Sequence, residues 1–213
     1  AVLGEFAGSV AHEIRNPLAA IGTSTFLLKS KMSEDDRAQY IKHVSDIDAE
    51  IKKCVSIIDS ITRLSKNEDP VKTSFDIRGL AMEVLGARTV PQAVIVKQIL
   101  TSVPLEVHAD KEQIRICLKN LIDNSLQAMS EEGTLTIEIK ERRPSGAVIS
   151  ISDTGSGIKS ELVEKVFSPL FSTKSFGMGF GLSIVKMIIE KHGGTIIVES
   201  ELGKGTSFII ELP

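Results

Sequence analysis

The strongest constraint on this chain is a change of period near residue 70. Before it, Leu3, Ala7, Val10, Ile14, Pro17, Ile21, Ser24 and Leu28 recur with strict 4,3 spacing, and Tyr40, Val44, Ile47, Ile51, Cys54, Ile58 and Ile61 repeat the pattern after a break. Such a repeat is one face of a helix, and Phe6, Leu18 and Leu27 widen the first stripe beyond a coiled-coil seam. Ser33 and Asp36 form an approximate capping box for the second helix. Each helix would reach about 45 Å at roughly 1.5 Å per residue. Joined by a short turn, the two pack antiparallel and leave half of each stripe uncovered, so a homodimeric four-helix bundle is expected. Asn67, Glu68, Asp69 and Pro70 end the pattern, because proline cannot continue a helix. Residues 1–69 therefore read as a helical hairpin and residues 70–213 as a second domain.

That second stretch alternates short strands with helices. Asp76 is placed as the cap of a helix through about Arg88, strands are expected at 93–99 and 105–108, and Asp110 with Gln113 opens a helix to Met129. Residues 134–142 and 147–152 read as paired strands, 182–192 as a helix stopped by Gly193 and Gly194, and 195–200 with 206–212 as a closing pair. The expected fold class is thus α followed by α/β: the long hairpin, then a two-layer sandwich with helices on one face of a mixed sheet.

Composition narrows the function. With 42% hydrophobic and 25% charged residues the chain can build cores, and a net charge of −3 lacks the footprint of a nucleic-acid or anionic-lipid binder. No apolar run nears the roughly 18 residues that span a bilayer. Cys54 and Cys117 each fall within a helical apolar pattern and suggest neither a disulfide nor a zinc site, which points to a reducing, cytoplasmic setting. The chain opens at Ala1 inside a helical pattern without a start Met, so a longer parent is expected, and a membrane anchor elsewhere in it is compatible with this reading.

Three local patterns carry possible chemistry. His12 lies two residues from both Val10 and Ile14 and so points off the buried stripe, with Asn16, Ala19, Thr23 and Phe26 continuing its line and Glu13 beside it. Pro17 strips the Glu13 carbonyl of its intrahelical donor and bends the helix one turn away, although prolines also kink helices for packing alone. In the helix after Asp110, Asn120, Asn124 and Gln127 share the face opposite Ile114, Leu118, Leu121 and Ile122. Amide oxygens there can ligate Mg²⁺ without adding charge, and a solvated polar stripe has the same pattern. Asp153, Gly155 and Gly157 end a strand. They suit either a turn or a pocket in which a buried carboxylate accepts from the exocyclic amine of adenine. Gly177, Gly179 and Gly181 precede a helix, where backbone N–H groups can hold phosphate.

The string HEIRNPL, from His12 to Leu18, resembles the phospho-accepting motif of two-component sensor histidine kinases. DKEQIRICLKNLIDNSLQAM, DTGSGI, FSPLFSTK, GMGFGL and GKGTSF stand in the order of that family's catalytic-domain boxes. The resemblance covers nearly the whole chain and implies a Bergerat-type ATP-binding fold of the GHKL class with ATP and Mg²⁺ as cofactors. By it, His12 accepts the phosphoryl group, Glu13 orients and deprotonates the ring, and Asn16 positions water for dephosphorylation. Asn124 binds Mg²⁺, Asn120 assists at metal and phosphates, Asp153 reads adenine, and Gly155 and Gly157 shape the base pocket. Lys174, Gly177, Gly179, Gly181 and Leu182 line the phosphate side under a lid anchored by Phe167 and Phe171, with Thr206 supporting adenine through water. The implied partners are a second copy of the chain and the receiver domain of a response regulator. Two departures stand out: Gln127 where many relatives carry a phosphate-contacting Lys, and Phe180 in place of the usual Leu.

Two other classes compete. A conformational ATPase like the type II topoisomerases would carry a Glu one turn before the metal Asn, where this chain has Asn120. In a binding module the bundle would scaffold a dimer and the nucleotide site only set its conformation, and the intact His12, Glu13 and Asn124 argue against that reading.

Overall fold

The computed structural model describes residues 18, 19, 21–23, 25, 26, 28, 29, 41, 44, 45, 47, 48, 51, 54, 55, 69–129, 132–168, 171 and 181–213. The chain divides into two compact units, Ala1–Glu68 and Asp69–Pro213.

In the first unit the described residues are helical on both sides of the expected turn. The two helices meet at a polar cross-link: the Thr25 hydroxyl lies 2.9 Å from the Gly22 carbonyl and 3.2 Å from Asp48 Oδ1, and Lys29 Nζ lies 3.4 Å from Asp48 Oδ2. Thr25 and Val44 are buried, whereas Ile21, Leu28 and Ile47 of the apolar stripes stay exposed in the single chain. Ala19, Thr23 and Phe26 are exposed as their position off the stripe predicts.

The second unit runs β1 (Thr73–Asp76), α1 (Ile77–Gly86), β2 (Ala93–Leu100), β3 (Glu106–Ala109), α2 (Lys111–Met129), β4 (Glu132–Glu141), β5 (Ala147–Asp153), α3 (Ser160–Val163), α4 (Gly181–Lys191), β6 (Thr195–Glu201) and β7 (Gly205–Leu212). Five strands form one mixed sheet in the order β2-β4-β5-β7-β6, with β2 parallel to β4 and the other pairs antiparallel. The alternation of β5 and β7 sends Ile149, Ile151, Phe208, Ile210 and Leu212 to a buried inner face. Against it lie Leu118, Leu121 and Ile122 of α2 with Val185, Ile188 and Ile189 of α4, each fully burying about 1.5–3 kcal/mol worth of apolar side chain. On the outer face Ser150, Ser152 and Ser207 hydrogen-bond among themselves at 2.7–3.3 Å.

Two features depart from expectation. The strand at β3 does not join the main sheet; it pairs with β1, a strand too short to show periodicity, in a two-stranded sheet of its own. Asp76 explains the arrangement. It caps α1 by accepting from the Arg78 N–H (3.2 Å), and the same oxygen accepts from the Leu105 N–H (3.1 Å), drawing the chain before β3 onto β1. Partial burial pushes its carboxyl up, but hydrogen bonds from the Arg78 side chain and from the Leu105 and Arg78 backbone outweigh this and hold it below the usual range. Helix α1 also ends at Gly86, short of Arg88.

The N-terminus of α2 is capped by Asp110, whose Oδ1 accepts from the Glu112 and Gln113 N–H groups at 3.1 Å each. Its backbone N–H donates in turn to His192 Nε2 at 3.0 Å, just past the end of α4. His192 Nδ1 lies 2.8 Å from the Ile188 carbonyl, which only accepts, so the ring is neutral with its proton on Nδ1. The imidazole is buried and braces α4 against α2. Burial lowers its pKa, with Lys72 adding to the shift, while the bond to Ile188 and the charge of Asp110 oppose it. Because the unfolded chain takes up this proton more readily, the stability the brace contributes is complete above about pH 6.5 and is lost as pH falls below it. Thermal melts from pH 8 to 5 are expected to show this loss in the native chain. The His192→Gln variant is expected to lack it and to be less stable by about 1–3 kcal/mol at pH 8.

Candidate functional site

Helix α2 presents two different faces because its sequence carries two registers. Ile114, Leu118, Leu121 and Ser125 turn into the core, while Asn120 and Asn124 sit half-buried at its margin. The Asn120 amide donates to the Ile116 carbonyl at 2.9 Å, which aims its Oδ1 away along the helix side. That oxygen lies against Gly181, the first residue of α4, where an added Cβ would approach it to 2.9 Å. Asn120 therefore stands at the N-terminus of an 11-residue helix, where the helix dipole favours anions. Asn124 follows one turn on, and no side-chain hydrogen bond holds its amide among the described residues.

This donor set fits a divalent cation shared with phosphate oxygens rather than a protein-only cage. Among the described residues no cluster of His, Cys, Asp and Glu could hold a metal. Uncharged amide oxygens would leave such an ion positive toward phosphate.

The second half of the site is a polar island on the otherwise apolar inner face of the sheet. Asp153 at the end of β5 and Thr206 of β7 are register partners, and both are buried. Asp153 Oδ1 accepts from the Gly155 N–H at 2.9 Å, which tightens the turn that follows. Gly155 lies directly on α2: an added Cβ would come within 2.6 Å of the carbonyl carbon and oxygen of Ala128. The adjoining Ser156 N–H donates to that same carbonyl at 3.1 Å. Gly157 adopts φ 65°, a left-handed conformation, and a Cβ there would collide with the Glu201 carbonyl.

Ser200 is a site residue that periodicity did not reveal. Its hydroxyl donates to the Gly205 carbonyl (2.9 Å) and accepts from the Ile158 N–H (2.8 Å), tying the turn after Gly157 to the β6–β7 hairpin. Since its only proton is committed to a carbonyl, the 2.9 Å contact with Thr206 has Thr206 Oγ1 as donor. Thr206 then has only lone pairs to offer elsewhere, and the Asp153 carboxylate is likewise an acceptor.

The structure thus brings Asp153, Gly155, Gly157 and Thr206 together at one end of β5 and β7, and Asn120 to Gly181 at the start of α4. Leu182 is half-buried in the first turn of α4. Gln127 is exposed on α2. Phe167 packs edge-on against Phe208, with ring centroids 6.5 Å apart, and Lys186 Nζ lies 5.8 Å from the Phe167 centroid, so this residue is fixed to the sheet before the glycine-rich segment begins. His12, Glu13, Asn16, Pro17, Lys174, Gly177, Gly179 and Phe180 lie outside the described residues.

Two family models match. The His Kinase A phospho-acceptor domain matches residues 2–70, and the histidine kinase-, DNA gyrase B- and HSP90-like ATPase matches residues 109–213. Sporulation kinase D of Bacillus subtilis is 34% identical over 216 residues, covering 100% of this chain and 42% of that protein. The chain spans less than half the length of the curated relatives it matches first, 46% and 42%. Among solved structures, the catalytic domain of histidine kinase ThkA is 34% identical with a TM-score of 0.59, covering 67% of this chain and 95% of that one. ThkA in complex with the response regulator protein TrrA is 31% identical with a TM-score of 0.71, covering 100% of this chain and 62% of that one. With an acceptor-domain match preceding an ATPase-domain match, and a buried carboxylate, paired asparagines and a helix N-terminus assembled in the second, the chain belongs to the two-component sensor histidine kinases.

Proposed function

We propose that this chain is an ATP-dependent autokinase that moves the γ-phosphoryl group of ATP to His12 and then to an aspartate of a response regulator. The observation that carries the reading is the presence, in one chain, of a phospho-acceptor match around His12 and an ATPase match around the Asp153 and Asn120 sites. In this reading the acceptor Asp153 takes a hydrogen bond from the adenine amine, whereas the guanine carbonyl at the equivalent position would be repelled. The first turn of α4, beside Asn120, faces the phosphates with backbone N–H groups. Asn120 and Asn124 would hold Mg²⁺, which when bound screens phosphate charge. A nitrogen of the His12 ring attacks phosphorus, an N–P bond forms as the bond to the leaving oxygen breaks, and ADP departs. Glu13 holds the other ring nitrogen and takes up its proton. Water activation by the residue one turn before Asn124 finds no support, because Asn120 carries an amide that cannot serve as a base.

The reading divides the chain into 1–69, a dimerisation and phosphotransfer hairpin, and 70–213, the catalytic domain, acting in the cytoplasm. No helix among the described residues is long and apolar enough to cross a membrane. The exposed Ile21, Leu28 and Ile47 support a homodimer, since a four-helix bundle would cover them. The TrrA complex of ThkA supports a response regulator as partner, and the exposed Phe26, Thr23 and Ala19 offer it a surface on the first helix.

Incubation with Mg²⁺ and γ-labelled ATP is expected to give label that survives alkali and is lost in acid. The label should be absent from His12→Gln, reduced about 10²-fold or more in Asn124→Ala, and ATP affinity should fall about 10- to 100-fold in Asp153→Asn. Alkali-labile label, or label retained by His12→Gln, would refute the assignment. Light scattering at micromolar concentration is expected to give twice the chain mass, and a monomer would contradict the bundle. Asn16→Ala is expected to keep autophosphorylation and to lengthen the phosphate lifetime of the cognate regulator; an unchanged lifetime would remove the phosphatase role.

A further inference from the structure

One backbone proton of the second unit has two acceptors within reach of its position. Asp110 is the N-cap of α2 and Gln113 its N3 residue, the pair of positions at which an N3 side chain ordinarily reaches back to accept from the N-cap N–H. Here that N–H is donated instead to His192 Nε2 at 3.0 Å. Gln113 Oε1 is buried and has no hydrogen-bond partner among the described residues. Its amide is already turned to Asp110: Nε2 lies 3.4 Å from Asp110 Oδ2, and a carboxylate, which only accepts, fixes which end of the amide faces it. A buried oxygen without a donor is destabilising and needs an explanation. The donor it would ordinarily take is the one that His192 holds.

His192 holds that donor only while neutral. Its Nδ1 proton is committed to the Ile188 carbonyl at 2.8 Å, so the lone pair that accepts from Asp110 is the one a further proton would occupy. Taking that proton makes Nε2 a second donor facing the Asp110 N–H, and the two must part. The charged groups that act on the ring are Lys72, in the segment entering β1, which opposes its protonation, and Asp110, which favours it. Three segments cross at this junction. Helix α2 starts there, α4 has just ended, and Asp110 Oδ2 also accepts from the Val71 N–H at 3.1 Å, holding the stretch by which the chain enters the unit. At the other end of α4, Gly181 lies against Asn120.

We propose that Asp110, Gln113 and His192 form an acid-operated switch, in which protonation of His192 passes the Asp110 N–H to Gln113 Oε1, closing the capping box of α2 and releasing the end of α4 while the unit stays folded. The Gln113 oxygen, idle in the neutral form, spares the acid form an orphaned N–H. Resting on the adenine-nucleotide reading above, the release loosens the phosphate side of the site, since the helix whose first turn faces the phosphates has lost the brace at its far end.

The test follows the imidazole C–H resonance of His192, assigned by its absence from His192→Gln, in the full chain from about pH 8 to about pH 5. The native chain is compared with Gln113→Met, which keeps the length of the side chain and suits a helix but has no oxygen. With the substitute acceptor gone, the acid form leaves the Asp110 N–H unpaired, and His192 is expected to bind its proton about three- to tenfold more weakly than in the native chain. Helical circular dichroism at room temperature should persist through the native titration. Over the same range, calorimetric affinity for ATP is expected to fall about three- to tenfold further in the native chain than in His192→Gln, a comparison that cancels the titration of ATP itself. A titration point that Gln113→Met leaves in place, loss of the helical signal as His192 protonates, or equal falls in ATP affinity would each overturn the proposal. A native chain that binds no ATP at neutral pH would remove the nucleotide reading instead, and the comparison of His192 titrations would then decide the switch by itself.

Discussion

The contact between the Gly155 backbone and the last turn of α2 decides where the rest of the site lies. Helix C-termini leave carbonyls without partners, and here the Ala128 carbonyl is taken by the Ser156 N–H while Gly155 closes to a distance no side chain would permit. Both sides of this contact are backbone, so neither can give way. It fixes the end of β5, with Asp153, against the same helix that carries Asn120 and Asn124. At Gly181, by contrast, the neighbour is the end of the Asn120 side chain, and that contact can adjust. The site is thus rigid where a base would be read and adaptable where phosphates and metal would sit. The far ends of α2 and α4 are pinned independently, through Asp110 and His192.

Much of this was legible in the sequence. The α2 cap at Asp110, the pairing of β4 with β5 and of β6 with β7, and the stop of α4 before Gly193 follow from capping residues, alternation and glycine placement, all short-range signals. What escaped was decided by long-range pairing. Strand β1 has four residues and exists because β3 is drawn onto it through Asp76, a contact spanning 29 positions. His192 ends a helical stripe and looks there like any helix terminus; its bond to Asp110 joins residues 82 apart.

The hydroxyls of the site show the same limit. Ser200 lies on an inner-facing edge position of β6, and nothing in its neighbours announces that it ties the turn after Gly157 to the β6–β7 hairpin. Ser125 did leave a mark, a polar residue in a core register between Leu121 and Met129. Pattern reading absorbs such a residue as a tolerated small side chain, although its hydroxyl is buried without a partner among the described residues.

The polar island has a thermodynamic consequence for the whole domain. Asp153 and Thr206 are buried on a face that is elsewhere apolar, so the folded chain carries a desolvation cost that a bound base would offset. Binding and folding are then linked by mass action, and nucleotide at 100 times its dissociation constant would add about 2.7 kcal/mol to the stability of the folded state. The resistance of this domain to unfolding and proteolysis would then rise and fall with the nucleotide pool around it, so that its lifetime as well as its activity would register the energy state of its surroundings.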